Sequence, residues 1–485
     1  MSEGATRGRG DAAKKRDERL NLETEKAAAI VGDSPRPSVP APPRPDASAS
    51  PRRFSAHVAW TFGARILMTV NSVAAGVIVA RWLGAEGLGQ LAVINVAVAT
   101  VVQLGSAGLP SANTYFIARN RKDFAPAAVN SLLFAIVVGG LLALGLTWLS
   151  AGRPGWFGFI PPRLVAVAAA AVPFQLVTLI GLNVFLAVGR VERFNLLDLL
   201  GQSFVLVNAL VALVALGAGL WTLVSLNTAA AAGVGLLIAA LVWACGAQME
   251  GRAAWRPSPR LFGRMMRYGV KFHVATLSGL LIFRLDLLVV NHFRGAAEAG
   301  VYSVASQVAM MLMLLPGVIA TLLFPRVAAR RDETGELTCA VTRHTAFVML
   351  FVCLAAVPLG FLLPLLYGAK FADVGVQLLI LLPGVYLIGL ESVLVQHFNA
   401  TGLPAAIPLF WAATLLLNVA LTFALVPPFG ARGAALASLL SYALIFALVA
   451  LYFRARTRRP LSEALIVRGD ELRKLFDLAK ARRRA

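Results

Sequence analysis

The stretch VKFHVATLSGLLIFRLDLLVVNHF, Val270–Phe293, decides how the chain is read. It is long and apolar enough to cross a bilayer as one helix, yet it holds Lys271, His273, Arg284 and Asp286. An Arg or Asp near the bilayer centre costs roughly 3 kcal/mol on insertion scales, so a span carrying both has to face a wet cavity or a paired partner. At about 100° per residue, His273, Arg284 and Asn291 fall within roughly 20° of one face, with Thr276 to one side. Arg284 and Asp286 point about 160° away from each other, so they do not pair on one face.

Working outward, the segment is one of many. From Ala56 on, about twelve apolar segments of spanning length are separated by short breaks that carry charge, Gly or Pro. Their approximate bounds are 56–80, 88–115, 128–150, 164–188, 197–217, 220–245, 270–293, 300–325, 343–366, 375–398, 405–427 and 431–453. With 58% hydrophobic residues in 485, the chain is far more apolar than a soluble globular protein. The expected fold class is therefore an all-α polytopic membrane protein of about twelve transmembrane helices.

The net charge of +21 does not point to nucleic acid, because the basic residues sit in tails and short loops between apolar spans. Placing the N-terminus inside puts about fourteen Lys and Arg in inner loops and about six in outer ones, which predicts N- and C-termini in the cytoplasm. Residues 1–53 mix both charge signs and end Pro-rich, the pattern of a disordered tail without the apolar core of a signal peptide. Residues 454–485 form a basic tail, in which Leu472, Leu475, Phe476 and Ala479 share a helical face suited to an anionic membrane surface. A plain solvated tail is the alternative. Cys245, Cys339 and Cys353 are too widely spaced for a disulfide framework or metal site, and no cofactor motif is present.

An internal repeat organises the spans. LGAEGLGQLAV (Leu83–Val93) lies between the first two and RGAAEAGVYSV (Arg294–Val304) between the seventh and eighth, with Gly84 and Gly295, and Gly89 and Gly300, each 211 residues apart. Pro173 and Pro383 are 210 apart, as are Asn208 and Asn418. Six spans per half give a parallel repeat, with the path for a transported molecule between the halves and rocking as the means of alternating access. The expected domains are an N-terminal lobe at 54–246, a cytoplasmic linker at 247–269 and a C-terminal lobe at 270–453.

GAEGLGQLAV (84–93), FRLDLLVV (283–290), GVYSVASQVA (300–309), LYGAKFADVGVQLLILLPG (366–384), FNATGLP (398–404) and FGARGAALAS (429–438) give the chain its resemblance to a family. By their order and spacing it resembles the polysaccharide-exporter branch of the multidrug/oligosaccharidyl-lipid/polysaccharide transporter superfamily, the Wzx-type oligosaccharide flippases. The resemblance covers the second half well and the first more loosely, and the long N-terminal tail departs from the family's pattern. It implies a two-lobe, twelve-helix fold in the bacterial cytoplasmic membrane that moves a polyprenyl-diphosphate-linked oligosaccharide from the inner to the outer leaflet. A polymerase or glycosyltransferase of glycan assembly is the further protein partner it allows.

Such a cargo asks for fixed cations toward the diphosphate and for hydroxyls and amides toward the sugar. Arg284, Lys271, His273 and Asn291 on the seventh span are candidate substrate contacts, and so is Arg65, which on the first span lies in a stripe with Thr61, Thr69 and Ser72. Asp286 and Glu391 are candidate cavity charges for Na+ or H+ coupling; each could equally bond a neighbouring helix. Asn71, Gln103, Asn183 and Gln202 fit interhelical hydrogen bonds better than sugar contacts. Alternatives within the same superfamily are a lipid II flippase and an ion-coupled drug antiporter. A membrane enzyme of glycan assembly fits less well, because the longest outer loop, AGRPGWFGFIPPR, is short and no HExxH motif occurs; without a GxxxxGK stretch, transport is expected to run on something other than ATP bound by this chain.

Overall fold

The computed structural model describes residues 51–157, 160–250, 255–330, 332, 334–402 and 404–466. The greater part of the N-terminal tail, and the apolar face expected on the basic tail at Leu472–Ala479, lie outside these residues. Among the described residues the fold is all helix, and ten helical units are long and apolar enough to cross a membrane.

The chain runs through α1 (Pro51–Ser106), α2 (Leu109–Arg119), α3 (Phe124–Gly152), α4 (Pro162–Ala169), α5 (Val172–Ala187), α6 (Val191–Ala209) and α7 (Leu220–Glu250). The second half continues through α8 (Pro259–Arg294), α9 (Ala296–Leu312), α10 (Leu314–Arg330), α11 (Glu336–Tyr367), α12 (Val374–Thr401), α13 (Ala406–Thr457) and the short α14 (Ser462–Leu465). Two apolar stretches are too long for a single crossing: Phe62–Ser106 within α1 has 45 residues and α13 has 52. At about 1.5 Å per residue either would run more than twice the ~30 Å hydrocarbon core if straight. Neither is straight. Gly84 breaks α1 at φ 69°, ψ −173°, and Gly430 breaks α13 at φ 60°, ψ −140°. A side chain built on Gly433 would meet the Leu425 carbonyl oxygen at 2.1 Å, so the chain doubles back on itself at this bend.

The repeated glycines take equivalent places. Gly295, the counterpart of Gly84, sits between α8 and α9 at φ 87°, ψ 171°, a region open essentially only to glycine. Gly89 and Gly300 then meet across the two halves. A Cβ on Gly89 would lie 1.7 Å from the Ala296 carbonyl oxygen, and one on Gly300 would lie 2.0 Å from that of Ala85. Ala85 and Ala296 are themselves 211 residues apart, so the contact is reciprocal and backbone packs on backbone. The asparagine pair is reproduced too: Asn208 Nδ2 donates to Asn227 Oδ1 at 2.9 Å, tying α6 to α7, and Asn418 Nδ2 donates to Ser441 Oγ at 3.1 Å across the bend of α13.

Breaks inside the spans follow backbone chemistry. Ala107 and Gly108, both at positive φ, separate α1 from α2 ahead of Pro110. Chain breaks also precede Pro173 and Pro316, while Pro383 is carried inside an unbroken α12. The expected linker at 247–269 is shorter in the structure, because α7 runs to Glu250 and α8 starts at Pro259. Ser258 caps α8, its hydroxyl accepting from the Leu261 amide, with Pro259 in the first turn. The Asn130 side chain on α3 pairs with both the N–H and the C=O of Ser258, at 3.1 and 2.9 Å, and fixes where the helix begins.

Overpacking of this kind costs about 1–3 kcal/mol, so Gly89→Ala and Gly300→Ala are each expected to lower the melting temperature of the purified protein. Gly140→Ala, where a side chain meets open space, is expected to leave it unchanged or slightly raised. Equal melting temperatures for all three variants would refute the packing role of the glycine pair.

Candidate substrate cavity and its charged helices

The break between α1 and α2 leaves a polar hollow of about 120 Å³. Gln103 and Ser106 come from the end of α1, Ser111 from α2, and His273 and Thr276 from α8 in the second half. The hollow therefore lies where the two halves face each other. Its floor is narrow because a Cβ on Gly108 would sit 2.1 Å from the Gly269 carbonyl oxygen, a second close backbone approach. Both ring nitrogens of His273 are shielded from solvent, and the ring faces the Leu104 carbonyl without reaching hydrogen-bond geometry. A polar guest would meet these nitrogens once the packing around the ring opens, and the imidazole would then both donate and accept.

The arginines stand on exposed faces. Arg65 on α1 is half exposed and faces Asp198 on α6 at 3.8 Å. That distance exceeds a hydrogen bond, so the guanidinium keeps its donors for another acceptor while Asp198 offsets part of its charge. Arg284 on α8 is exposed and makes no hydrogen bond or ion pair among the described residues. Lys271 lies on the same helix, but its side chain falls outside the described residues.

The carboxylates behave differently. Asp286 is 2% exposed and saturated with donors: the Tyr302 hydroxyl on α9, the Ser438 hydroxyl on α13 at 3.0 Å and the Leu287 amide at 2.8 Å. It joins three helices of the second half and lines neither the hollow nor any exposed face. Asn291, 1% exposed, has no partner for either atom of its amide, and it too is packed inside rather than open to the hollow. Glu391 on α12 is likewise buried, with Oε1 unpartnered. Of the candidate contacts whose side chains are described, then, only His273 lines the hollow, and Arg65 and Arg284 stand apart from it on exposed faces.

Polar residues that sequence reading set aside or missed tie helices together, within the first half and across the two. Asn71 donates to Ser203 at 3.1 Å, the interhelical role expected for it, and Gln307 on α9 donates to Ser72 on α1 at 2.8 Å. Arg81, at the end of the first span, donates from Nε to the Leu366 carbonyl at 2.7 Å. Trp156 stacks on His292, whose Nδ1 lies 3.0 Å from the Gly155 carbonyl. Asp198 was legible as a lone acid in the apolar run NLLDLLG; its pairing with Arg65 was not.

A family model described as polysaccharide biosynthesis protein matches residues 56–330, more than half of the chain. The chain belongs to that family. A protein of Haloferax volcanii named as a probable flippase, AglR, is 30% identical over 188 residues, which is 37% of this family member and 40% of that protein. A putative O-antigen transporter of Shigella flexneri is 24% identical over 183 residues, covering 36% and 43% respectively. The chain thus spans less than half the length of these curated relatives. Among solved structures, an inward-facing multidrug resistance MATE family transporter of the MOP superfamily superposes with a TM-score of 0.66 at 16% identity, covering 81% of this chain and 94% of the other. The lipid II flippase MurJ in an inward closed conformation gives 0.64 at 14%, covering 84% and 89%. This polysaccharide-biosynthesis family member therefore has the MOP fold and is a multi-pass membrane protein.

Asp286→Ala would leave the Tyr302 and Ser438 hydroxyls without their acceptor. With each stranded buried donor costing about 1–3 kcal/mol, this variant is expected to lose several degrees of melting temperature, whereas exposed Arg284→Ala is expected to lose none. Thermal unfolding followed in detergent checks both, and an unaltered Asp286→Ala would show that the carboxylate does not serve packing.

Proposed function

We propose that this protein is a flippase that carries a polyprenyl-diphosphate-linked oligosaccharide from the inner to the outer leaflet of a bacterial cytoplasmic membrane, for polysaccharide biosynthesis. Residues 54–246 and 270–453 act as two lobes of six crossings each, with the 45- and 52-residue units each counted as a pair. Both termini lie on the cytoplasmic side, where the loops are richer in Lys and Arg. The single observation that carries the reading is the pairing of cations on the two leading helices, Arg65 on α1 and Arg284 on α8, both exposed and both with donors to spare.

A diphosphate enters hydrocarbon only against fixed positive charge, and guanidinium matches its oxygens through paired N–H donors. His273 adds donors nearer the start of α8, with Lys271 two residues before it in the chain, while the hydroxyls and amide around His273 suit a sugar. The contact between the lobes at Gly89 and Gly300 then closes one side of the path, and rocking opens it. Coupling to Na+ or H+ would engage Glu391, whose Oε1 is free to accept. Asn291 and Asp286 would join the path only after the helices around them shift. A drug antiporter of the same fold would be served better by acids than by these arginines. The names of the relatives support a transporter rather than an enzyme of glycan assembly.

Reconstitution tests this directly, with a fluorescent polyprenyl-diphosphate oligosaccharide whose leaflet is followed by enzymatic access. Wild type is expected to translocate it, and Arg65→Ala and Arg284→Ala are each expected to slow it about ten-fold, the loss of one charge-assisted contact of about 1.4 kcal/mol. Full rates in both variants would remove the arginines from the path, and no translocation by wild type would defeat the flippase reading.

A further inference from the structure

The end of the molecule that holds the glycine bends carries a second, larger cavity of about 500 Å³. That volume falls within the ~300–1,000 Å³ of small-molecule sites. Its walls come from Ala85 on α1, the end of α8, the start of α9, the turn before α12 with the start of α12, and the bend of α13. None of the polar or charged side chains assigned to the path above lines it.

Charge at this cavity is organised in pairs, with one group left over. Glu298 receives the Ala431 amide at 2.7 Å and lies 3.3 Å from Arg294, in the space that a side chain on Gly430 would fill. Asp373 receives Arg432 at 3.0 Å. Both carboxylates are thus neutralised by a guanidinium. Lys370 is exposed and has no partner among the described residues. The cavity therefore presents net positive charge through one free ammonium.

Beside it stands an unmet acceptor. Gln377, one turn along α12 from Asp373, is 3% exposed, and its Oε1 is sealed from solvent with no hydrogen bond. A buried carbonyl oxygen without a donor costs about 1–3 kcal/mol, a cost that a ligand hydroxyl would relieve once the Gln377 amide turns into the cavity its side chain lines. Across the cavity Phe429 is 60% exposed and offers an apolar ring face. A free cation, a hydroxyl-seeking amide and an exposed aromatic face together match one chemical class. It is a sugar ring bearing a carboxylate: the ring's C–H face lies on Phe429, a hydroxyl donates to Gln377, and the carboxylate meets Lys370.

We propose that this cavity is a binding site for an acidic sugar residue at the end of the protein where the glycine bends lie. The inference rests on the flippase reading for its biological sense, since that end is then the outer one and the site would receive the glycan as it leaves. The binding chemistry stands without it. An acidic residue in the glycan would gain a landing point that a neutral glycan lacks, which makes Lys370 a selectivity residue.

Saturation-transfer NMR on the full-length protein in detergent micelles, with D-glucuronate and D-glucose as probes, tests the site. Wild type is expected to give a clear glucuronate signal and a weaker glucose signal. Lys370→Gln, a change at an exposed position, is expected to cut the glucuronate signal about ten-fold and leave that of glucose unaltered, while Gln377→Leu weakens both. The proposal is overturned if glucuronate gives no signal on wild type, if glucose matches it, or if Lys370→Gln leaves the glucuronate signal as it was. Lipid translocation is scored on the same preparation. Failure to bind glucuronate by a protein that translocates lipid would reject this site alone, and binding without translocation would reject the flippase reading alone.

Discussion

Everything in the fold is hung on a contact made of backbone alone. Gly89 and Gly300 bring the second and eighth spans so close that any side chain would strike the opposing carbonyl oxygen. Lipid tails give apolar helices little reason to prefer one another over solvent, so close van der Waals approach through small residues supplies much of the association. A contact of this kind is dense but holds few specific bonds, which makes it strong when seated and cheap to part as a unit. The hydrogen bond of Gln307 to Ser72 and that of Arg81 to the Leu366 carbonyl fix the register around it. Those two bonds run between exposed or half-buried groups, so water can replace them when the halves separate.

Ionisable groups are distributed in keeping with that division. Carboxylates inside the second half are buried and, in the case of Asp286, given three donors from three helices, which welds that half into one body. Arginines on the leading helices are left outside, where solvent or a charged guest can meet them. The cavity at the bends keeps paired charges with one cation to spare. A rigid half with an unsaturated rim is what rocking about a polar path requires.

Much of this could be read from the residues. The apolar segments fall in helix, ten units of it long enough to span a membrane among the described residues, because hydrophobic length sets the span, and the 211-residue spacing of the glycines anticipated their matched placement. Gly108 and Pro110 marked the break after α1, and Ser258–Pro259 carried a helix-start signal that sets the linker shorter than composition alone implied. What could not be read was partnership. Nothing near Tyr302 or Ser438 in the chain shows that both turn to Asp286, and Arg65 finds Asp198 only because α1 packs on α6. Helical phase placed His273, Arg284 and Asn291 on one stripe, yet the stripe is covered unevenly by neighbouring helices, so one lines a hollow, one is exposed and one is buried. Periodicity gives direction but not cover.

If the halves part at the glycine contact during each transport cycle, a bridge elsewhere across the same interface stops transport, and this is the most direct measurement. Ser72→Cys with Gln307→Cys, in a protein whose Cys245, Cys339 and Cys353 have been replaced, places two thiols where a 2.8 Å hydrogen bond now spans the interface. A short cleavable thiol cross-linker is then applied in proteoliposomes while translocation of the lipid-linked oligosaccharide is followed. Translocation is expected to stop on cross-linking and to return when the bridge is cleaved. Translocation at the unbridged rate with the bridge intact would contradict the parting of the halves.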